Sequence, residues 1–321
     1  MNNCKFNLPI SRLLNYLKYL GLSISLAFSG LCFTQNSFSQ DVDINTYVEG
    51  TLLSTKTAVD LVILIGDSGP VDRNGNHGYN RSNHLKKLAD SLIAHNVASF
   101  RFDKRIVKQL KQNAVKEDVL FEDFVTDVKS IVRHFKQLNH FESIYLIGHG
   151  QGALVGILAA STHVNGLILL CGSGKNIGDT LIEQVGLSAP ELKAETIQVV
   201  EQLKQGQLSP DFPPMLSNAF NLDTQAFLIS WMAYTPSEEL GNIKLPVLII
   251  YGNKDLQLPE NDALLLATNC KQCQINSIEN MNHVLVEITR GDMENYKSYS
   301  DPNFNLSPKL ITSITTFVNS N

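Results

Sequence analysis

Beyond its first forty residues the sequence has no run of lysine or arginine, and acidic residues outnumber basic ones over the whole chain. The 26 Lys and Arg and the 31 Asp and Glu residues give a formal net charge of −5, with a sequence pI of about 5.9. Because proteins that bind nucleic acid concentrate positive charge on one face, we expect no nucleic-acid partner. After residue 40 there is also no apolar segment long enough to span a bilayer.

Cysteine is scarce, and no group of His, Cys and carboxylate residues has the spacing of a metal site. Of the five cysteines, Cys171, Cys270 and Cys273 follow residue 40. The last two form a Cys-x-x-Cys segment that has no second pair of zinc ligands and does not start a helix. A local disulfide and two unpaired thiols both fit this spacing, and Cys171 is expected to be a small buried core residue. We expect neither a metal ion nor an organic cofactor.

The first 39 residues have the features of a secretory signal peptide. Basic residues precede an uncharged apolar stretch over 19–33, and small residues occupy positions −3 and −1 of a cleavage site after Ser39. We therefore predict a signal peptide over 1–39, a periplasmic or secreted protein, and no membrane span after cleavage. An uncleaved anchor is the alternative, although the apolar stretch is short for a spanning helix.

After the signal peptide, strands alternate with amphipathic helices, a pattern typical of a mostly parallel sheet with helices on both faces. Helices are predicted over 82–95 and 121–138, where apolar residues recur at helical spacing. Short, largely apolar runs indicate strands buried on both faces. The predicted strands are 61–65, 97–102, 143–147, 166–171, 245–251 and 274–278.

The alternation stops between Gly172 and Ile243. Helical stretches are predicted there over 178–187 and 189–205, followed by a proline-rich loop and a shorter helix that carries the only tryptophan, Trp231. We divide the predicted domain into a core of residues 40–172 and 244–321 and a helical cap or lid of residues 173–243. A structural helical layer is the alternative, and the two roles are compatible.

Residues 146–152 read Leu-Ile-Gly-His-Gly-Gln-Gly and join a predicted strand to a helix-forming run. This segment is similar to the nucleophile elbow of α/β-hydrolases, in which a tight turn holds a serine out of the sheet. Gly150 stands at the serine position, so the sequence lacks the hydroxyl group that this motif presents.

An acid and a histidine follow in the chain order of that fold. Asp255 comes after the strand predicted over 245–251, and His283 comes after the strand predicted over 274–278. In such a pair the histidine takes and returns a proton, while the carboxylate fixes its tautomer and stabilises its charged form. We predict that Asp255 and His283 form a catalytic pair beside Gly150.

The loop over 66–76 follows the first core strand and is rich in small residues. Small residues let backbone amides approach a substrate. We therefore expect Ser68 and Gly69 to form one side of an oxyanion hole and the backbone N–H of Gln151 to form the other. Asp72 and Arg73 are interpreted as an internal ion pair that holds the loop.

Together these segments resemble bacterial α/β-hydrolases of the serine-aminopeptidase-like and carboxylesterase group. Members carry a Gly-Ser-Gly-Pro-x-Asp-Arg-Asp-Gly-Asn loop, similar to residues 68–76, an Asp-Lys-Arg-Gly turn, similar to residues 103–105, and a Gly-His-Ser-x-Gly elbow. The resemblance implies an α/β-hydrolase fold and a small ester or acyl compound as ligand. The sequence departs from the pattern at Gly150, at Asp67, where glycine is usual, and at 106–108.

Three interpretations of Gly150 follow. The chain is a pseudoenzyme that binds an acyl or ester-like ligand, or it hydrolyses slowly with a water that occupies the space of the missing hydroxyl. In the third, another residue is the nucleophile, and Ser68 is the nearest by loop position. The charge of Asp67 would oppose an oxyanion if its side chain points inward. The sequence therefore predicts an ester hydrolase of weak or altered activity, with a catalytically inactive pseudoenzyme as the alternative.

Overall fold

The computed structural model describes residues 36–111, 119–161 and 163–321. Residues 37–321 form one compact unit. Its eight-stranded sheet consists of β1 (Phe38–Asp43), β2 (Glu49–Ser54), β3 (Asp60–Ile65), β4 (Ala98–Phe102), β5 (Ser143–His149), β6 (Gly166–Leu170), β7 (Val247–Gly252) and β8 (Cys273–Ile278).

The strands are ordered β1-β2-β4-β3-β5-β6-β7-β8 across the sheet. β2 pairs antiparallel with both β1 and β4, and all other neighbouring strands are parallel. The mostly parallel sheet predicted from the sequence is therefore confirmed. Because parallel strands end at the same edge, the loops after β3, β5, β6, β7 and β8 come together at one end of the sheet.

Helices surround the sheet. Those described are α1 (His84–Ile93), α2 (Arg105–Lys111), α3 (Phe121–Leu138), α4 (Gln151–Ala159), α5 (Ile177–Ser188), α6 (Lys193–Lys204), α7 (Ser217–Phe220), α8 (Leu222–Met232), α9 (Pro236–Gly241), α10 (Glu260–Leu266), α11 (Asp292–Ser298) and α12 (Pro308–Ser320). Single 3₁₀ turns lie at Pro190–Leu192 and Pro214–Leu216.

The central strands are buried on both faces, which explains their continuous apolar runs. On one face, alternate residues of β3 such as Leu61 and Ile63 pack with α3 and α4. On the other, Val62 and Leu64 pack with α1 and α12. The predicted placement of helices on both faces is thus confirmed, and the observed bounds of α3 are those that its helical spacing predicts.

Helices α5 to α9 lie between β6 and β7, in the segment predicted as a cap. Most of them share a hydrophobic cluster of their own, consisting of Val199, Val200, Leu203, Leu216, Phe220, Leu228 and Met232. α9 is different, because its Leu240 belongs to the core cluster beneath the sheet.

β1 begins at Phe38, so the predicted cleavage after Ser39 lies within this strand, whereas most of the predicted signal peptide lies outside the described residues. The sequence analysis missed both β1 and β2. β1 is an edge strand with mostly exposed residues, and its sequence gives no apolar run to recognise.

Cys270 and Cys273 are joined by a disulfide, and Cys171 is a buried free thiol. Of the two alternatives for the Cys-x-x-Cys segment, the structure therefore has the bridge. Across the described residues, every helix is too short or too polar to cross a membrane.

Candidate active site

β5 and α4 meet in a sharp turn at Gly150, whose φ of 54° and ψ of −118° lie outside the regions that most side chains favour. The flanking glycines allow close packing. A Cβ at Gly148 would overlap the backbone of Gly152, and a Cβ at Gly152 would overlap the backbone after β3. The turn therefore has the strand-to-helix geometry expected from the sequence, and the half-buried residue at its centre carries no side chain.

The carboxylate of Asp67 occupies the place that a side chain at position 150 would need. Asp67 follows β3, and its Oδ1 would overlap a Cβ on Gly150, while its Oδ2 would lie 2.8 Å from that Cβ. Oδ1 accepts a hydrogen bond of 2.8 Å from the backbone N–H of Gln151, and Oδ2 lies 3.1 Å from Nε2 of His283. The sequence analysis noted Asp67 as a departure from the family pattern, but it did not predict that the Asp67 carboxylate lies at the elbow.

This position of Asp67 speaks against the second interpretation of Gly150, in which a water occupies the space of the missing hydroxyl. A water in the space of the missing hydroxyl would have to share that space with the Asp67 carboxylate, because Oδ1 already fills it. The sequence analysis considered an inward orientation of the Asp67 side chain as a condition. In the structure the side chain does point inward, to Gln151 and His283.

The structure brings Asp255 and His283 together, as the sequence predicts. Nδ1 of His283 lies 2.8 Å from Oδ2 of Asp255. The other carboxylate oxygen, Oδ1, accepts hydrogen bonds of 2.7 Å and 2.8 Å from the backbone N–H groups of Gln257 and Leu258. The Asp255 side chain is 1 % exposed, so its orientation is fixed by the fold.

His283 thus lies between two carboxylates. Burial opposes charge on its ring, but the hydrogen bonds to Asp255 and Asp67 outweigh burial and raise the pKa of His283 well above its usual value. Burial likewise opposes the charges of Asp67 and Asp255, but the interaction with His283 holds both of their pKa values below the usual range. All three shifts favour a charged His283 ring between two charged carboxylates.

A buried lysine lies on the other side of the elbow. Nζ of Lys104 donates hydrogen bonds of 2.7 Å to the backbone oxygen of Asp67 and 2.8 Å to Oε1 of Gln151, and it lies 4.4 Å from the ring centroid of Phe124. Burial lowers the pKa of Lys104 to about 7, although the charge of Asp67 opposes this shift. Lys104 therefore ties the loop after β3 to the start of α4. Its place in the Asp-Lys-Arg turn was the sequence signal for this role.

Ser68 and Gly69, the residues expected at the oxyanion hole, are exposed and line the cavity beside Asp67. The Gln151 N–H, expected as the second donor, already donates a hydrogen bond of 2.8 Å to the Asp67 carboxylate. The N–H that the sequence assigns to an oxyanion hole is thus hydrogen-bonded to a side chain of the protein itself.

The predicted Asp72–Arg73 ion pair is wrong. Asp72 caps its own loop by accepting hydrogen bonds of 2.8 Å and 2.9 Å from the backbone N–H groups of Asn74 and Asn76. Arg73 instead pairs with acidic residues of other elements, at 3.0 Å to Asp103 and at 3.2 Å to both Asp41 and Glu49. The two neighbouring side chains therefore bind different partners.

His149 lies between two other imidazoles, whose ring planes are tilted from its own by 56° and 52°. Its ring centroid lies 4.7 Å from those of both His84 and His283. Burial lowers the pKa of His84 and of His149, so these two rings are neutral. His149, Cys171 and His283 offer possible metal-ligand atoms within 4.8 Å of one another. Both ring nitrogens of His283 already face carboxylates, which favours a hydrogen-bonded site over a metal site.

Residues of the segment 173–243 line a second cavity together with Asp67 and His283. Its floor includes Gly150, Leu154 and Leu258, and the residues from 173–243 at its walls are Ser173, Lys175, Ile177, Thr180, Gln184, Trp231 and Pro236. Lys175 is itself held at 2.6 Å from Glu183 and at 2.8 Å from Asp262. The cavity is open to a small molecule of mixed polarity.

Residues 75–287 match the family described as serine aminopeptidase, S33. The chain belongs to this family. The matched part includes Gly150, Asp255 and His283, and it begins after Asp67. The S33 assignment agrees with the resemblance found in the sequence.

Two curated enzymes are similar to this chain in sequence. Esterase EstD of Thermotoga maritima is 22 % identical over 235 residues, covering 70 % of this chain and 54 % of its own. Human monoacylglycerol lipase ABHD6 is 27 % identical over 170 residues, covering 44 % and 50 %. The chain therefore spans about half the length of these curated relatives.

The structure of the alpha/beta hydrolase GrgF from Penicillium sp. sh18 aligns with a TM-score of 0.57 at 12 % identity, covering 88 % of this chain and 98 % of that one. With the strand order described above, this similarity identifies the fold as an α/β-hydrolase fold.

Proposed function

We propose that this protein is a hydrolase of small ester- or acyl-type compounds in which Gly150 replaces the family's serine, so that its activity on carboxylic esters is weak or altered. The Asp255–His283 pair and the cavity above it support a hydrolytic site. The observation that carries the proposal is the Asp67 carboxylate, which lies between the Gln151 N–H and Nε2 of His283.

Three features of this arrangement oppose serine-type ester hydrolysis. Gly150 offers no oxygen nucleophile. Asp67 places a negative charge on the donor that would stabilise an oxyanion. The hydrogen bonds from His283 to two carboxylates raise the pKa of the ring and so favour its protonated form, which cannot act as a general base. Removing one member of a serine triad alone costs on the order of 10⁶ in rate.

The second candidate is a pseudoenzyme that binds an acyl or ester-like ligand without converting it. The occupied Gln151 N–H favours this candidate, since a ligand carbonyl in the cavity would have to compete with Asp67 for that donor.

A repaired site tests the proposal. The variant Gly150→Ser alone would overlap Asp67, so the test uses the double variant Asp67→Gly/Gly150→Ser. We expect it to hydrolyse p-nitrophenyl butyrate at least about 10³-fold faster than the natural protein and to be labelled at position 150 by a serine-directed phosphonate. Adding His283→Gln should abolish both. Asp211→Asn, which changes an exposed acid outside the site, is the control.

The outcomes separate the candidates. A folded double variant that neither turns over nor is labelled would show that this is not an acyl-transfer site, against the proposal. If the double variant is active, assays of the natural protein distinguish the weak hydrolase from the pseudoenzyme. Residual ester turnover that His283→Gln removes supports a weak hydrolase. Saturable binding of a non-hydrolysable ester analogue, without turnover of any substrate, supports the pseudoenzyme.

A further inference from the structure

We propose that the outer edge of β8 is an interaction surface for a second copy of this chain, and that two copies pair their β8 strands antiparallel about a two-fold axis at Ile275. The two sheets would then form one continuous sheet. β8 lines neither of the cavities at His283, so this inference is independent of the chemistry proposed for the active site.

The first observation is the direction of the backbone groups of β8. This strand is the last of the sheet, so in the described chain only one of its edges is paired. The carbonyl of Ile278 accepts a hydrogen bond of 3.4 Å from the backbone N–H of Asn253, the residue after β7, and therefore faces β7. Because these groups alternate in direction along a strand, those of Cys273, Ile275 and Ser277 face outward. They are the groups that a further strand would bind.

β8 also lacks the features that protect an exposed edge. Proteins usually blunt such edges with charged side chains, proline or a bulge. β1, the opposite edge strand, contains Asp41 and Asp43. β8 reads Cys-Gln-Ile-Asn-Ser-Ile, with no charged residue and no proline. Ile275, near its centre, is 42 % exposed. The edge is therefore suited to pairing with another strand.

The charges that flank β8 favour a second copy as the partner. Lys271 and Glu279 lie four residues before and four residues after Ile275. Both are exposed, and neither forms an ion pair among the described residues. In an antiparallel pairing centred on Ile275, Lys271 of each copy comes to the same end as Glu279 of the other, so opposite charges meet at both ends. A two-fold interface requires such a self-complementary surface.

The same register matches the residues inside the strand. Ile275 is opposite Ile275 of the second copy, with Cα atoms about 5.5 Å apart, and Cys273 is opposite Ser277. Each of these outward-facing pairs can exchange two backbone hydrogen bonds. On the other face of the strand, the amide of Gln274 comes opposite the amide of Asn276, and two amides can bond each other. Apolar and polar side chains therefore meet their like.

An open groove runs beside this edge. Asn276 donates a hydrogen bond of 3.2 Å to Ser313 of α12, and residues of β8 and α12 line a groove of about 580 Å³. The groove leaves room for side chains of the second copy next to the paired strands. Because β8 has only 6 residues, we expect a small interface and association in the micromolar range.

The oligomeric state tests the surface. The natural protein, expressed from the full chain, is examined by sedimentation equilibrium from about 1 to 100 µM, where we expect monomers and dimers in equilibrium. Ile275→Lys places two like charges at the axis and should raise the dissociation constant at least about tenfold. Leu138→Lys, which changes an exposed apolar residue of α3, should leave it unchanged.

A charge exchange tests the identity of the partner. Lys271→Glu and Glu279→Lys should each weaken the dimer, by about two- to tenfold, because like charges then meet at both ends. The double variant Lys271→Glu/Glu279→Lys should restore it, since opposite charges meet again. Lys129→Glu, which changes an exposed lysine of α3, is the control for net charge.

A cross-link tests the register. Ile275→Cys should give a disulfide-linked dimer under mild oxidation, because a Cα separation of about 5.5 Å suits a disulfide. Leu138→Cys should stay unlinked.

Three kinds of result would overturn the inference. A natural protein that remains monomeric up to about 100 µM has no such interface. A dimer that Ile275→Lys leaves intact, or that Ile275→Cys does not link, has its contact elsewhere. A double charge exchange that fails to restore what the single variants lose would show that Lys271 and Glu279 do not meet across the pair. The hydrolase site has its own test in the double variant Asp67→Gly/Gly150→Ser, whose result does not depend on any of these.

Discussion

The Asp67 carboxylate lies where a side chain on Gly150 would have to be, so only one of the two positions can present a functional group to His283. The two residues are 83 positions apart in the chain and meet because β3 and β5 are adjacent parallel strands that end at the same edge of the sheet. The absence of a side chain at Gly150 and the presence of a carboxylate at Asp67 therefore depend on each other.

The first prediction concerns the stability of Gly150→Ser. Its Cβ would overlap Oδ1 of Asp67, so either the carboxylate must move away from Gln151 and His283 or the elbow must distort. Overpacking of this kind costs about 1–3 kcal/mol. We expect urea denaturation to show a loss of that size, and Asp67→Gly in the same chain to recover most of it. Purely additive effects of the two substitutions would contradict the shared space.

The second prediction is that Asp67→Asn lowers the pKa of His283. In the natural protein the pair of carboxylates raises that pKa well above the usual value, so the stabilisation from charged His283 is complete below about pH 6.5 and is lost as the pH rises through the folded-state value. An amide at position 67 removes one anionic partner. NMR titration of the imidazole signals measures the shift, with Asp211→Asn as the unshifted reference. An unchanged titration would mean that Asp67 does not set the charge of the ring.

Lys104 gives the third prediction. Burial lowers its pKa to about 7, whereas the pKa of a lysine in the unfolded chain is about 10.4. Between these values the unfolded state binds more protons, so this group makes the folded state more stable as the pH rises. We expect the unfolding free energy of the natural protein relative to Lys104→Met to increase from pH 6 to pH 10. A difference independent of pH would show that Lys104 keeps its charge when buried.

The comparison of sequence and structure shows why Asp67 was difficult to predict. Periodicity was sufficient for α3, whose apolar stripe faces the sheet, and chain order was sufficient to pair Asp255 with His283. Asp67 could be recognised only as an unusual residue in a glycine-rich loop. Its role depends on a contact with Gln151, 84 residues away, and on the absence of a Cβ at the elbow. Local sequence patterns do not report such contacts.

The wrong prediction of an Asp72–Arg73 ion pair has the same cause, because the partners of Arg73 are distant in the sequence. Neighbouring opposite charges suggest a pair, but the partners of Arg73 come from β1, β2 and the end of β4, and the sequence analysis had not found the first two strands. With β2 between β1 and β4, Glu49 and Asp103 are neighbours, and the backbone N–H of Asp103 donates a hydrogen bond of 3.2 Å to the backbone oxygen of Glu49. Arg73 therefore pairs with acidic residues of these elements and not with Asp72.

The fourth prediction concerns the disulfide. Cys270 and Cys273 are three residues apart, and closing so short a loop limits the stabilisation to about 2 kcal/mol. Cys273 is the first residue of β8, at the end of the strand away from His283. The variant Cys270→Ser/Cys273→Ser should therefore unfold at lower urea concentration and keep the catalytic properties of the natural protein. A change in the His283 titration would show that the bridge acts on the site.

The last prediction concerns the N-terminus. Cleavage after Ser39 would remove Phe38 and Ser39, which pair with Ser54 and Leu53. The remaining part of β1 keeps Asp41, which accepts hydrogen bonds from Thr51 at 2.7 Å and from Arg73 at 3.2 Å. The mature chain would thus lose the exposed start of an edge strand and retain the contact that joins it to the loop of Asp67. We expect the protein expressed with its full N-terminus in a Gram-negative host to appear in the periplasmic fraction, with Gln40 as its first residue by N-terminal sequencing. Retention of the uncleaved chain with membranes would instead support the anchor, because the same apolar stretch then stays attached to the sheet.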